Sequence, residues 1–252
     1  MYHAPIRSAS AIPSLREHMK AGTGIYTAPE AAALLHQDAG TVRRWAFGYR
    51  RNRPDGRVQH PPLIRTELPE VEGERALTFV ELVELLYIRA FQKAGASWKT
   101  IREAAGVAAR LYTSEHPFAL RQLYVDPDSF LYGAIEEADG SEAFVQLRGH
   151  GQQAFPQLVK PYLEQLEFGV DDLASRWWPL GRRGGVVVDP RHAFGAPVVE
   201  EVGIQTRTLA DAYGAERRTH GDGALKRVAW IYEIEPGHVQ TALDFQQWLR
   251  AA

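Results

Sequence analysis

Seven arginines stand between Gly40 and Arg65, at positions 43, 44, 50, 51, 53, 57 and 65, against a single acid, Asp55. Guanidinium groups cannot neutralise one another. The chemistry open to them is pairing with anions, and their planar five-donor fork suits phosphate oxygens and the exposed edge of guanine. The local balance is +6 in a chain whose net charge is −2, which leaves −8 for the remainder. A basic island on an acidic body is the pattern of a segment that meets a polyanion. A solvated, arginine-rich loop is the competing reading.

Other chemistry is poorly supported. There are no cysteines, which excludes disulfides, thiolate metal sites and cysteine nucleophiles. The nine histidines fall at 3, 18, 36, 60, 116, 150, 192, 220 and 238, and no two have the spacing of paired metal ligands on a helix. No Gly-x-Ser-x-Gly elbow occurs, and the glycine-rich run from Gly181 to Gly185 precedes a strand instead of opening a helix, so it cannot cradle phosphate as a P-loop does. The acid pairs Glu136–Glu137, Asp171–Asp172 and Glu200–Glu201 are adjacent in sequence, so their side chains diverge. No catalytic residue, metal site or cofactor is expected, and the chain reads as a non-enzyme. No apolar run approaches the roughly 20 residues that cross a bilayer. With no signal-peptide core at the N-terminus, the expected location is the cytoplasm, with no membrane partner.

The elements around the arginines give them a place. Thr27-Ala28-Pro29-Glu30 is a helix start with a capping Thr and a Glu three residues on. Ala31, Ala32, Leu34 and Leu35 supply its apolar face. His36 to Gly40 breaks the pattern, and Thr41 is expected to open a second helix through Val42, Arg43, Arg44, Trp45 and Phe47. Two short helices joined tightly make a helix-turn-helix, whose second helix enters the major groove. Pro54-Asp55-Gly56 is a turn, and Leu63-Ile64-Arg65 is expected as the returning strand of a wing. Thr41, Arg43 and Arg44 would then read or clamp the groove, and Arg50, Arg51, Arg53 and Arg57 would hold phosphate.

Helical spacing continues from Thr78 to Ala94, and Ser97 caps a further helix from Trp98 to about Leu111. Strands are expected over Phe118–Val125, Ser129–Tyr132 and Ala143–Leu147, with a turn at Asp126-Pro127-Asp128 and a helix over Gln157–Gln165. Trp177 to Gly185 reads as a linker, docked through its tryptophans. Beyond it come strands at Val186–Val188 and Ala196–Val199, a helix capped by Thr206, a polar connector from Gly214 to Gly223, and helices over Ala224–Ile234 and Pro236–Leu249.

The fold class is therefore α+β, mainly helical. It comprises an N-terminal arm (1–23), a winged helix-turn-helix (24–115), a middle segment with a small antiparallel sheet and linker (116–184), and a C-terminal strand pair with a three-helix unit (185–252). The last unit carries Trp230, Ile231, Phe245 and Trp248, a heavy aromatic load that suits dimerisation across a two-fold axis.

Two stretches resemble known families. Residues 24 to about 111 resemble the winged helix-turn-helix of MerR-type regulators, through Tyr26-Thr27-Ala28-Pro29-Glu30-Ala31-Ala32, Thr41-Val42-Arg43-Arg44-Trp45, and Ala94-Gly95-Ala96-Ser97 followed by Ile101-Arg102. Residues 186 to 250 are similar to the domain of unknown function numbered 433 (DUF433). That likeness rests on Asp189-Pro190, Phe194-Gly195-Ala196-Pro197-Val198-Val199, Gly203-Ile204-Gln205-Thr206, Val228-Ala229, and Val239 with Ala242-Leu243 and Phe245. Together with His116-Pro117-Phe118 and Trp177-Trp178-Pro179-Leu180-Gly181, the whole resembles the long antitoxins of the VapBC class.

That resemblance implies a homodimeric antitoxin that binds its own promoter as double-stranded DNA and covers the metal site of a PIN-domain ribonuclease toxin encoded beside it. Such a site is acidic, so an arginine is its natural plug, and Arg182 and Arg183 are the candidates. The alternative is a MerR-like regulator holding a small molecule in the middle segment; the missing cysteines count against metal sensing.

Overall fold

The computed structural model describes residues 22–53, 56–70, 73–93, 96–120, 123–125, 131–136, 142–146, 153–154, 160–161 and 165–251. Strand β1 (Tyr26–Thr27) leads directly into helix α1 (Ala28–Leu35) through the expected capping box. The Thr27 hydroxyl accepts from the Glu30 N–H, and the Glu30 carboxylate accepts from the Thr27 N–H at 2.9 Å. These bonds satisfy donors that a helix start otherwise leaves open. Helix α2 spans Ala39–Phe47, and its cap is Asp38, not Thr41. Asp38 Oδ1 accepts the Thr41 N–H at 2.9 Å, so Thr41 sits at the third helical position and the arginines one turn further in than expected.

Strands β2 (Tyr49–Arg53) and β3 (Gly56–His60) form an antiparallel hairpin. The returning strand is therefore β3, not Leu63–Arg65. The Leu63 N–H instead donates to the Trp45 carbonyl at 2.7 Å and the Ile64 side chain is buried, so that apolar pair pins the chain to α2. The turn residues Pro54 and Asp55 lie outside the described residues. β4 (Ala76–Leu77) pairs with β1, and α3 (Phe79–Lys93) and α4 (Trp98–Tyr112, capped by Ser97) follow as expected. Leu35, Val42, Trp45, Leu82, Leu85, Ile88, Ile101 and Ala104 close one core between these helices.

Phe118 and Ala119, expected to begin a strand, instead lie in a short 3-10 turn over residues 117–119 that sends Phe118 into this core, edge-on to Phe91 at 5.2 Å. Beyond it lies a five-stranded antiparallel sheet in the order β8-β7-β6-β5-β9, made of β5 (Leu123–Val125), β6 (Leu131–Glu136), β7 (Glu142–Gln146), β8 (Gln153–Ala154) and β9 (Lys160–Pro161). The expected turn at 126–128 lies outside the described residues. Where a helix was expected over 157–165, Lys160 and Pro161 pair with β5; most of the rest of that segment is also outside the described residues. An unforeseen hairpin follows, β10 (Leu166–Phe168) with β11 (Ala174–Trp177).

The glycine-rich stretch after Trp177 is held tightly. Trp178 is fully buried and its indole N–H donates to Glu200 at 2.8 Å, while the Trp177 and Val188 backbones pair. The C-terminal strands number three, β12 (Val186–Val187), β13 (Val198–Val199) and β14 (Ile204–Gln205), in place of the expected pair. Helix α5 (Thr206–His220) runs through most of the stretch expected as a connector, and a 3-10 turn at Gly221–Gly223 completes it. Arg217, Arg218 and His220 in its last turn complement the helix dipole. Thr206 is the first helical residue, not the cap; its N–H and hydroxyl both donate to the Pro197 carbonyl. Helices α6 (Ala224–Ile231) and α7 (Pro236–Arg250) finish the unit.

Apolar packing runs across the expected boundary near residue 185. Val186, Val188 and Phe245 belong to the same core as Tyr26 and Leu35, whereas Val199, Leu209, Val228, Val239 and Ala242 form a smaller one. The Tyr26 hydroxyl donates to the Gly195 carbonyl at 2.9 Å, and the Ile25 N–H to that of Phe194. No helix among the described residues is long and apolar enough to cross a membrane.

Candidate nucleic-acid interface

The three residues His36, Gln37 and Asp38 separate α1 from α2. His36 makes the turn by adopting a left-handed conformation (φ 47°), and its N–H reaches back to the α1 carbonyls. Val42, Trp45 and Ala46 face inward, so Thr41, Arg43 and Arg44 are left toward solvent. The two arginines do different things. The Arg44 guanidinium donates to the Thr41 hydroxyl at 2.6 Å, and that hydroxyl also approaches Asp38, so a polar row runs along one side of the helix. Thr41 therefore has its N–H and hydroxyl engaged inside the protein and acts on Arg44. Arg43 edges a small hollow lined by Ala28, Phe47, Glu70, Gly73, Glu74 and Arg75.

The hairpin follows immediately. Gly48 joins it to α2 with φ 70°, and a β-carbon there would lie 2.6 Å from the His60 carbonyl oxygen. At the hairpin base the Tyr49 and His60 rings stack at 4.4 Å. The register pairs Arg50 with Gln59, Arg51 with Val58, Asn52 with Arg57 and Arg53 with Gly56. Because strand side chains alternate, Arg50, Asn52, Arg57 and Gln59 share one face, and all four are exposed. Arg51 lies on the opposite face with Val58, Tyr49 and His60, of which Val58 and His60 are half-buried. Among the described residues Arg43, Arg50, Arg51 and Arg57 have no acid partner. Arg65 differs: it pairs with Glu115, so it drops out of the basic island.

Two sets of residues were not anticipated. Asn52 and Gln59 complete the open hairpin face; only the strand register, invisible before the turn is known, places them there. His116 lies between Glu84 (3.0 Å) and Glu67 (2.9 Å), tying α3, the loop after the hairpin and the start of the middle segment together. Burial alone would depress the His116 pKa, but the hydrogen bonds and charges of Glu84 and Glu67 outweigh it and carry it up to about 9. Burial pushes the neighbouring Glu81 up to about 7, against the N–H donors of Thr78 and Glu67.

The remaining candidates are scattered. Arg182 lies 3.8 Å over the Trp178 ring and 3.5 Å from Glu167, while Arg183 is exposed and has no partner among the described residues. Trp230 and Ile231 are 69% and 44% exposed on α6, with Arg227 over the indole. Phe245 is buried in the core, and the Trp248 ring packs at a tilt against His36 with centroids 4.1 Å apart, so both are used within the chain.

Comparison with known proteins agrees with this geometry. Residues 24–105 match the family described as "Putative DNA-binding HTH domain". The crystal structure of Rv2018 from Mycobacterium tuberculosis superposes with a TM-score of 0.58 at 25% identity, covering 90% of this chain and 100% of that one. "Putative antitoxin VapB45" of Mycobacterium tuberculosis (strain ATCC 25618 / H37Rv) is 32% identical over 229 residues, 87% of this chain and 92% of its own. Identity at that level along nearly the whole of both chains means that this protein belongs to the family of the VapB45 antitoxin.

Proposed function

We propose that the protein is a DNA-binding antitoxin that represses its own promoter and neutralises a PIN-domain ribonuclease toxin. The observation that carries the DNA half is the arginine surface formed by α2 and the hairpin directly after it, on which Arg43, Arg50, Arg51 and Arg57 pair with no acid among the described residues. Arg44, held by Thr41, reads base edges in the major groove, Arg43 stands beside it, and Arg50 and Arg57 grip the flanking phosphates. Arg51, on the opposite hairpin face, is left out of this phosphate grip. The order helix-turn-helix, hairpin, α3 and α4 supports a MerR-like winged module, and the three strands and three helices at the C-terminus support a DUF433 unit.

The toxin half rests on the antitoxin relative, which aligns along almost the whole chain. Of Arg182 and Arg183, the second is the better plug for an acidic metal site, because Trp178 and Glu167 hold the first. Self-association uses Trp230 and Ile231, the exposed part of the large apolar group on the C-terminal unit. Fluorescence anisotropy on the upstream promoter tests the DNA half: Arg44→Ala combined with Arg50→Ala and Arg57→Ala abolishes specific binding, and wild-type affinity in that variant removes the proposal. Co-expression with the neighbouring PIN-domain ribonuclease tests the other half, since an antitoxin restores growth and co-purifies with the toxin.

A further inference from the structure

The turn of the helix-turn-helix is built around an awkward residue. His36 takes φ 47°, a region that glycine enters freely and residues with a β-carbon rarely do. Its Nε2 does not account for an imidazole here, being buried with no hydrogen-bond partner among the described residues. Desolvation, with Arg89 and Lys93 nearby, lowers its pKa, so the ring stands neutral. What the ring does have is an aromatic partner 212 residues away in sequence: Trp248 of α7, with ring centroids 4.1 Å apart and the planes tilted by 42°. Trp248 in turn packs 5.4 Å from the Phe245 ring, and Phe245 is buried in the main core. A chain of rings thus runs from the core, through the last helix, to the residue that ends α1 and starts the turn into α2.

We propose that Trp248 is a positioning residue for DNA recognition: by packing its ring against His36 it sets the turn of the helix-turn-helix, and so the direction in which α2 presents Arg44 to the groove. The inference rests on the DNA-binding reading above. Its physical basis is the division of labour in duplex recognition. Phosphate attraction depends on charge and tolerates small misplacements, whereas a bidentate base contact fails when its helix tilts. Losing this ring contact therefore lowers the ratio of specific to non-specific affinity and leaves non-specific binding where it was.

Three full-length variants separate positioning from mere support of the fold. His36→Gly removes the ring but suits the backbone angle, so the melting temperature holds or rises. Trp248→Ala removes the other ring, and Trp248→Phe keeps an aromatic face. Anisotropy with promoter duplex and with an unrelated duplex of equal length gives the ratio. The expected result is a drop of about tenfold in His36→Gly and Trp248→Ala, the loss of one weakened base contact, with Trp248→Phe close to wild type. A wild-type ratio in His36→Gly overturns the proposal even if Trp248→Ala fails to fold. Wild-type protein that does not distinguish the two duplexes overturns the DNA-binding reading itself, and this inference with it.

Discussion

The hairpin register makes a prediction that charge counting cannot. Arg50 and Arg57 lie on the open face with Asn52 and Gln59, whereas Arg51 lies on the face that leans on Val58 and the Tyr49–His60 stack. If the open face follows the DNA backbone, replacing Arg50 and Arg57 by Ala removes two phosphate contacts, and replacing Arg51 removes none. Each contact contributes roughly 0.9 to the slope of log K against log salt on B-form DNA, so the double variant flattens the slope by about 1.8. Between about 50 and about 200 mM salt the wild type should then lose about twelvefold more affinity than the double variant. Because phosphate contacts carry no sequence information, promoter and unrelated duplex should change alike. Anisotropy titrations at four or more salt concentrations measure the slopes. A wild-type slope in the double variant, or an equal flattening in Arg51→Ala, would refute the assignment of faces.

Three further outcomes are expected. Arg44→Ala should cost about 1–3 kcal/mol of promoter binding and relax the preference at one base pair, and Thr41→Val, which only frees Arg44, should cost less; binding to promoters mutated one position at a time checks both. His116 has a folded pKa raised from 6.5 to about 9, so its contribution is fully present below 6.5 and is lost as pH rises through about 9, on the order of 3 kcal/mol. Glu81, raised from 4.5 to about 7, acts with the same sign at lower pH; urea melts across pH 5 to 9.5 should show stability falling, and His116→Gln should flatten the alkaline limb. Gly48→Ala places a β-carbon 2.6 Å from the His60 carbonyl at a φ of 70°, so it should destabilise the hairpin junction by about 1–3 kcal/mol or more, read as a lower melting temperature.

Local signals carried much of the first hundred residues. The capping box at Thr27 and Glu30, the Ser97 cap and the apolar spacing of α3 each act within a few residues, and each element formed where these marks stand. The misplacements share a cause. Asp38 and Thr41 are both competent caps, and the choice between them depends on which carboxylate or hydroxyl reaches a free N–H once the turn at His36 is made. Leu63 and Ile64 have the composition of a strand, yet their place was decided by the Trp45 carbonyl and by the burial of Ile64 in the core. Gly214 and Gly223 suggested a connector, but α5 runs past the first and ends before the second because Leu209, Tyr213 and the neighbouring helices pack along it. The strands β10, β11 and β14 are two to four residues long, too short for alternation to register.

What the arginines could do was legible from residue type and charge alone: seven guanidinium groups beside one carboxylate outnumber the acids near them in sequence, so the segment suits an external anion. Which of them remain available was not legible. Pairing with Glu115 takes Arg65 out of the island, the Thr41 hydroxyl orients Arg44, and the hairpin register puts Arg50 with Arg57 and apart from Arg51. The aromatic residues of the last helix show the same division. Their number implied a surface with a task, but Phe245 and Trp248 are spent on the core and on His36, because only the folded chain brings residue 248 against the turn at 36. Composition and short-range spacing act before the chain folds and can be read without it. Partner choice between distant side chains is settled by packing, and only the tertiary structure makes it.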